Sequence, residues 1–283
     1  THNVLLGGFA GDALTTGSAN IAIGYEALST EDGHSQNVAI GYQALKMLDA
    51  GAAGLNVAVG HQAGTAMSTG VENVLIGGLA GDALTTASAS VAIGYQALSA
   101  EDTHGTNTAI GYKALNVLNA GANGMNAIVG YQAGKAMTTG VGNAILGADA
   151  GDAITTGTYN IAIGAYALSA EDAHGKNVAV GAYALQDLDA GVDAGNVAIG
   201  YNAGANVTTG HENTIVGSWA GDALTTGADN VVIGHMAMGG CDTANKNIAI
   251  GHSALLVQDV SGSVDTHVVA VGFEAGKALS TGG

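Results

Sequence analysis

Largely aliphatic triplets recur along this chain, most of them opened by asparagine and each closed by glycine. Asn37-Val38-Ala39-Ile40-Gly41 returns as Asn196-Val197-Ala198-Ile199-Gly200 and, with serine in first place, as Ser90-Val91-Ala92-Ile93-Gly94. With the glycine as a marker, the pattern falls at Gly7, Gly24, Gly41, Gly60, Gly77, Gly94, Gly111, Gly130, Gly147, Gly164, Gly181, Gly200, Gly217, Gly234, Gly251 and Gly272. The steps between these 16 markers are 17, 17, 19 and 17 residues, repeated, with a last step of 21. The set of four steps is itself the larger repeat, so the chain divides into blocks 3–72, 73–142, 143–212 and 213–283, each of four rungs. A short fixed period of this kind is the signature of a stacked repeat fold.

Each rung predicts the same local structure. An aliphatic residue precedes all 16 markers, and alanine stands three residues after each. Asparagine stands four residues before 14 of them, Ser90 and Val268 being the exceptions. Valine and isoleucine dominate the triplet and no helical period is present, which predicts a strand. Glycine then marks a bend or a close backbone approach. The following x-Ala-Leu or x-Ala-Gly is expected to run back as a second short strand. Turn sequences such as Thr-Thr-Gly, Asp-Ala-Gly and Glu-Asp-x-His would close the coil. The expected fold is all-β: a parallel β-roll or solenoid of 16 rungs of about 17 residues, stacked about 4.8 Å apart. The asparagines would then form an amide ladder. Residues 1–283 read as one continuous array, with no proline, charge block or linker at any boundary. No capping rung is legible at either end, which predicts a piece of a longer chain.

The triplets are apolar on both faces. Successive side chains of Val38-Ala39-Ile40 point to opposite sides, and a strand apolar on both sides is buried on both. The flanking residues are expected to fill the roll. The central Ala22, Ala39, Ala58, Ala92, Ala109, Ala162, Ala179, Ala198 and Ala249 are expected to face outward. An exposed apolar stripe of that length exceeds what a lone soluble chain carries. Other copies of the chain are therefore expected to cover it, with these alanines at the interface.

Composition narrows the chemistry. Glycine is 47 of 283 residues and aromatics only 4%, so a core of large side chains is not available. The glycines do not follow the every-third-residue rule of collagen. The net charge of −17 excludes nucleic acid and anionic lipid as expected partners. No apolar run is long enough for a membrane helix, and no secretion signal is legible. The single Cys241 can form no intrachain disulfide. No nucleophile elbow or phosphate loop is present, so an enzyme is not expected.

Three features are candidate sites. Glu31-Asp32-Gly33-His34 returns as Glu101-Asp102-Thr103-His104 and Glu171-Asp172-Ala173-His174, and becomes Cys241-Asp242-Thr243-Ala244 in the last block. Carboxylates suit calcium and histidine suits transition metals. If three copies of the chain assemble, three such loops converging on their common axis could share an ion, whereas solvated loops on the outside could not. The second feature is Asp12, Asp82, Asp152 and Asp222, one per block, placed to cap a turn or hold Ca²⁺. They lack the nonapeptide pattern of calcium-binding rolls. The third is Tyr25, Tyr42, Tyr95, Tyr112, Tyr131 and Tyr201, each directly after a marker glycine, with Tyr166 and Tyr183 one residue later. They would either pack on neighbouring rungs or stack against sugars. No cofactor other than such a divalent cation is expected.

Asn-x-Ala-Ile-Gly at short intervals resembles the heads of trimeric autotransporter adhesins. The longer-period form, Asn-x-Ala-Ile-Gly-Tyr-Gln-Ala-Leu with a Thr-Thr-Gly turn, is more similar to repeat regions of bacteriophage tail fibres; the adhesin heads have a shorter repeat. The resemblance spans essentially the whole chain. It implies a left-handed roll, an elongated homotrimer, and attachment to a glycan or protein on a host cell surface. The chain would then be a fibre shaft or receptor-binding region on the virion surface, joined to other fibre segments. A bacterial surface adhesin and a self-assembling extracellular filament are the alternatives. A hexapeptide acyltransferase solenoid fits less well, because only one such turn is found per rung and the longer rungs break a period of six.

Overall fold

The computed structural model describes residues 1–33, 35–51, 53–101, 103–171, 173–257 and 264–279. The chain forms two compact units, Thr1–Gly142 and Asn143–Gly283, divided at the border between the second and third sequence blocks. In the first unit, strands β1 (Val4–Leu6), β2 (Ile21–Ile23), β3 (Val38–Ile40), β4 (Val57–Val59), β5 (Val74–Ile76), β6 (Val91–Ile93), β7 (Thr108–Ile110) and β8 (Ala127–Val129) pair in chain order. Every pairing is parallel, and each residue faces its counterpart one rung away, as Ala39 faces Ala58. In the second unit the order is β9 (Ala144–Leu146), β10 (Ile161–Ile163), β11 (Val178–Val180), β12 (Val197–Ile199), β13 (Thr214–Val216) and β14 (Val231–Ile233), then β16 (Ile248–Ile250) and β18 (Val269–Val271). Two short strands, β15 (Ala244–Asn245) and β17 (Val264–Asp265), pair separately. Each unit is thus an all-β parallel solenoid with the short rung period read from the sequence, and each strand of the main sheet is the triplet before a marker glycine.

The marker glycines are required twice over. Gly41 has φ +140°, in a region closed to other residues. A Cβ there would lie 2.2 Å from the carbonyl oxygen of Gly60 in the next rung. Gly24 over Gly41 and Gly94 over Gly111 repeat this contact at 2.3 and 2.4 Å. Stacked rungs therefore touch backbone to backbone at the marker.

The asparagine ladder forms, with a division of labour. Where asparagine follows asparagine, the peptide N–H donates to the side-chain oxygen one rung earlier, as in Asn20 to Asn3 at 2.9 Å and Asn37 to Asn20 at 2.9 Å. On the shorter rungs the side-chain amide also donates to the carbonyl that closes its own coil, as Asn73 does to Ala87 and Asn213 to Gly227; on the longer rungs Asn107 and Asn177 donate instead to Gly105 and Gly175, and the Asn37 amide nitrogen is buried without a partner. Only a side chain with donor and acceptor together can do both. Where serine interrupts the column, Ser90 N–H still donates to Asn73 at 3.0 Å, but its own hydroxyl is buried without a partner.

Two expectations are corrected. The return stretch is not a strand but a run of turns. Gly41 accepts from Ala44 N–H and Leu45 from Leu48 N–H, with Gln43 and Leu45 at φ +55° and +48°. These left-handed residues cost on the order of 1 kcal/mol each. Hydrogen bonds between rungs hold them: Gln43 N–H donates to Tyr25 and Leu45 N–H to Ala63.

The second correction reverses the faces of the sheet. Ala22, Ala39, Ala58, Ala92, Ala109, Ala162, Ala179, Ala198 and Ala249 are all fully buried inside their own coils. The flanking valines and isoleucines are the ones that look outward. The reason is volume. The coil interior also takes the side chain four positions after the marker, and the two positions share the space. Ala39 is matched by Leu45 and Ala92 by Leu98, all buried. Where the strand supplies Leu75, position 81 is glycine, and a Cβ there would come 2.8 Å from Leu75. Ile145 and Gly151 repeat this at 2.8 Å.

Gly41→Ala is expected to destabilise the first unit by about 3 kcal/mol or more, combining a forbidden φ with overpacking. Gly51→Ala should cost only about 1 kcal/mol, because Gly51 has φ +69° and nothing within 4 Å of its Cβ position. Chemical denaturation of both variants tests the contrast; equal losses would refute the stacking explanation.

Candidate functional site

The outer face of each sheet carries two aliphatic columns. In the first unit Val38, Ile40, Val57, Val59, Val74 and Val91 are half-buried and Ile76 is exposed. In the second unit Ile161, Ile163, Ile199, Ile233 and Ile248 are exposed. Beta-branched residues suit a strand, so propensity alone explains their presence but not their exposure. No charged side chain interrupts the triplets from β1 to β14, nor β16 and β18.

Beside these columns stand the aromatic residues, just past the marker bend. All six tyrosines singled out from the sequence, Tyr25, Tyr42, Tyr95, Tyr112, Tyr131 and Tyr201, are exposed. Most stack on one another. Tyr42 lies parallel to Tyr25 at 5.7 Å and to His61 at 5.2 Å, on successive rungs. Tyr112 lies between Tyr95 at 5.7 Å and Tyr131 at 5.3 Å. In the second unit Tyr166 stacks on Tyr183 at 5.4 Å, while Tyr201 meets Tyr183 and Trp219 edge to face. Tyr42 and Tyr112 therefore have ring neighbours on both faces, leaving edges and hydroxyls outward. Next to them Gln43 donates to Glu26 at 2.7 Å and Gln62 to Gln43 at 3.0 Å, a second polar ladder. Lys46, paired with Glu26, holds that carboxyl below its usual range, with Gln43 adding to the effect.

The Glu-x-x-His turns lie elsewhere on the coil. Glu31, Glu101 and Glu171 are fully buried, whereas Asp32 is exposed. His34, Asp102 and Asp172 lie outside the described residues. Glu101 accepts from His104 N–H at 3.2 Å and Glu171 from His174 N–H at 2.9 Å, so each glutamate braces its own turn. Burial pushes the Glu171 carboxyl up. The structure adds partners beyond those expected from the sequence. Asp49 joins Glu31 and Asp32, and Asp189 joins Glu171 and His174, with donor atoms within 4.8 Å of one another. Both aspartates come from the following rung of the same chain. Aligning rungs on their marker glycines is the signal that brings them together.

The block aspartates do not converge within either unit: Asp12 and Asp82 in the first, and Asp152 and Asp222 in the second, are four rungs apart. Burial pushes the carboxyls of Asp82 and Asp222 up, and Asp82 Oδ1 is buried without a hydrogen-bond partner. Folding thus favours protonated Asp82. The associated stability is complete below the ordinary value of 3.8 and is lost as pH rises through the higher folded value. Asp82→Asn should melt above the wild type at neutral pH, with the gap closing towards about pH 3, where the unfolded carboxyl also protonates. Thermal melts across this range test it; a gap that widens in acid would refute it.

The chain matches no protein-family model, no curated protein and no solved structure.

Proposed function

We propose that this chain is a non-enzymatic structural segment of an attachment fibre, the shaft or receptor-binding region of a phage-type tail fibre, working as a homotrimer outside the cell. The observation that carries this reading is the outer aliphatic face. Val38, Val57, Val74 and Val91 form one unbroken column of half-buried valines in the first unit. Such contiguous apolar surface marks an interaction site. Its regular repeat suits an identical partner, since two copies in register present matching columns. The trimeric number and the host-surface role rest on the resemblance to tail-fibre repeats. The tyrosine edges and hydroxyls beside the columns supply hydrogen bonds suited to a host glycan. The acidic surface keeps nucleic acid and anionic membranes out of the partner set.

Sedimentation equilibrium of the full chain is expected to give three times the monomer mass. Val38→Lys, Val57→Lys and Val74→Lys together should yield monomers whose circular dichroism is unchanged, because these side chains point away from the coil interior. A wild-type monomer, or a triple variant that still associates, would overturn the proposal.

A further inference from the structure

Glu171 occupies a place that neighbouring coils give to aliphatic side chains. At the seventh position past the marker glycine, successive rungs place Ile154, Glu171, Leu188 and Val207, all fully buried. A charged carboxylate in such a column is costly unless its oxygens are satisfied. One oxygen accepts the N–H of His174. The other, Oε2, is buried with no hydrogen-bond partner. Nδ1 of His174 also makes no hydrogen bond and lies 3.5 Å from the first glutamate oxygen.

The same turn one block earlier is satisfied from within. There the second oxygen of Glu101 accepts the N–H of Ala120 at 3.3 Å, and Nδ1 of His104 pairs with the Thr103 hydroxyl at 2.9 Å. Two of the sequence differences between the turns act on the glutamate and the histidine. Ala173 stands in place of Thr103, which removes the hydroxyl. Asp189 stands in place of Asn119, which brings a second carboxylate beside the buried glutamate. The nearby cation Lys176 is already paired with Asp193 at 2.7 Å.

Two carboxylates and an imidazole thus converge, with donor atoms within 4.8 Å of one another. We propose that Glu171, His174 and Asp189 bind a divalent transition-metal ion of the zinc type, linking two successive rungs of one chain. The imidazole selects this class over calcium, which takes oxygen ligands. Zinc bonds of about 2.0–2.2 Å set tetrahedral donors about 3.3–3.6 Å apart. The partly exposed side chains of His174 and Asp189 can close that remaining distance by rotation, and water completes the coordination. The site is complete within one copy and does not depend on self-association.

Calorimetric titration of the full chain with Zn²⁺ alone tests this. Asp189→Asn, which installs the residue that the second block carries naturally, should lose one bound equivalent relative to the wild type, and so should His174→Ala. His104→Ala should lose none. Circular dichroism establishes that each variant is folded. Equal stoichiometry in the wild type and Asp189→Asn, or no zinc uptake by the wild type, would overturn the proposal. Equal loss in His104→Ala would overturn the distinction between the two turns. Displacement of the zinc by equimolar Ca²⁺ would overturn the choice of metal class.

Discussion

The approach of one glycine backbone to the next is the constraint on which these coils depend. Gly24 lies against Gly41, and Gly41 against Gly60, with no room for a Cβ between them. This contact fixes the register of each rung at one point. Once it is fixed, the asparagine that opens the triplet must lie over its counterpart, and its side-chain oxygen meets the next peptide N–H. The turns after the marker are fixed in the same way. Left-handed residues such as Gln43 and Leu45 would be unfavourable in isolation, but each donates to the neighbouring rung. Local strain is thereby exchanged for a ladder of hydrogen bonds, which is favourable only in a stack.

A coil this narrow leaves a fixed volume to fill, and the chain fills it by compensation. Alanine in the strand goes with leucine in the turn; leucine or isoleucine in the strand goes with glycine. Ala58 and Gly64 are small together, and there the neighbouring Leu45 and Leu75 reach in, lying 2.9 and 2.7 Å from the position a Gly64 Cβ would take. The interior is thus packed between rungs as well as within them, as the close-packing of protein cores demands. Outward-facing valine and isoleucine are then not spare core residues. They make a continuous apolar surface.

Much of this is legible in the sequence. The strand positions follow from the Asn-to-Gly frame, and the amide ladder from the asparagine column. The faces of the sheet come out reversed because Val-Ala-Ile is apolar throughout: alternation separates two sides but does not say which is inside. The decisive signal is size, in the anticorrelation between Ala92 and Leu98 on one rung and Leu75 and Gly81 on another. The return segment reads as a strand because Gln43 and Leu45 carry no mark of left-handed backbone, unlike the glycines at the equivalent Gly64 and Gly81. Asp49 and Asp189 escape a linear reading because each lies a full rung beyond its glutamate, adjacent only after the coil closes.

That same closure gives meaning to the irregular step. In each of the first three blocks the rung after the buried glutamate is the longer one. Its additional residues fall at the Asp-Ala-Gly or Asn-Ala-Gly turn, where Gly51, Gly121 and Gly191 have positive φ and open space around them. Asp49 and Asp189 stand beside the glutamate one rung earlier, immediately before the bulge, and the N–H of Ala120, next to Gly121, donates to Glu101. In the fourth block the glutamate is replaced by Cys241, which is buried and donates to the Leu255 carbonyl, and the following step lengthens to 21. A polar group inside the column and a bulge outside it therefore change together. An acid in an apolar stack needs something beside it that an aliphatic residue does not, and the chain departs from its period where that need arises.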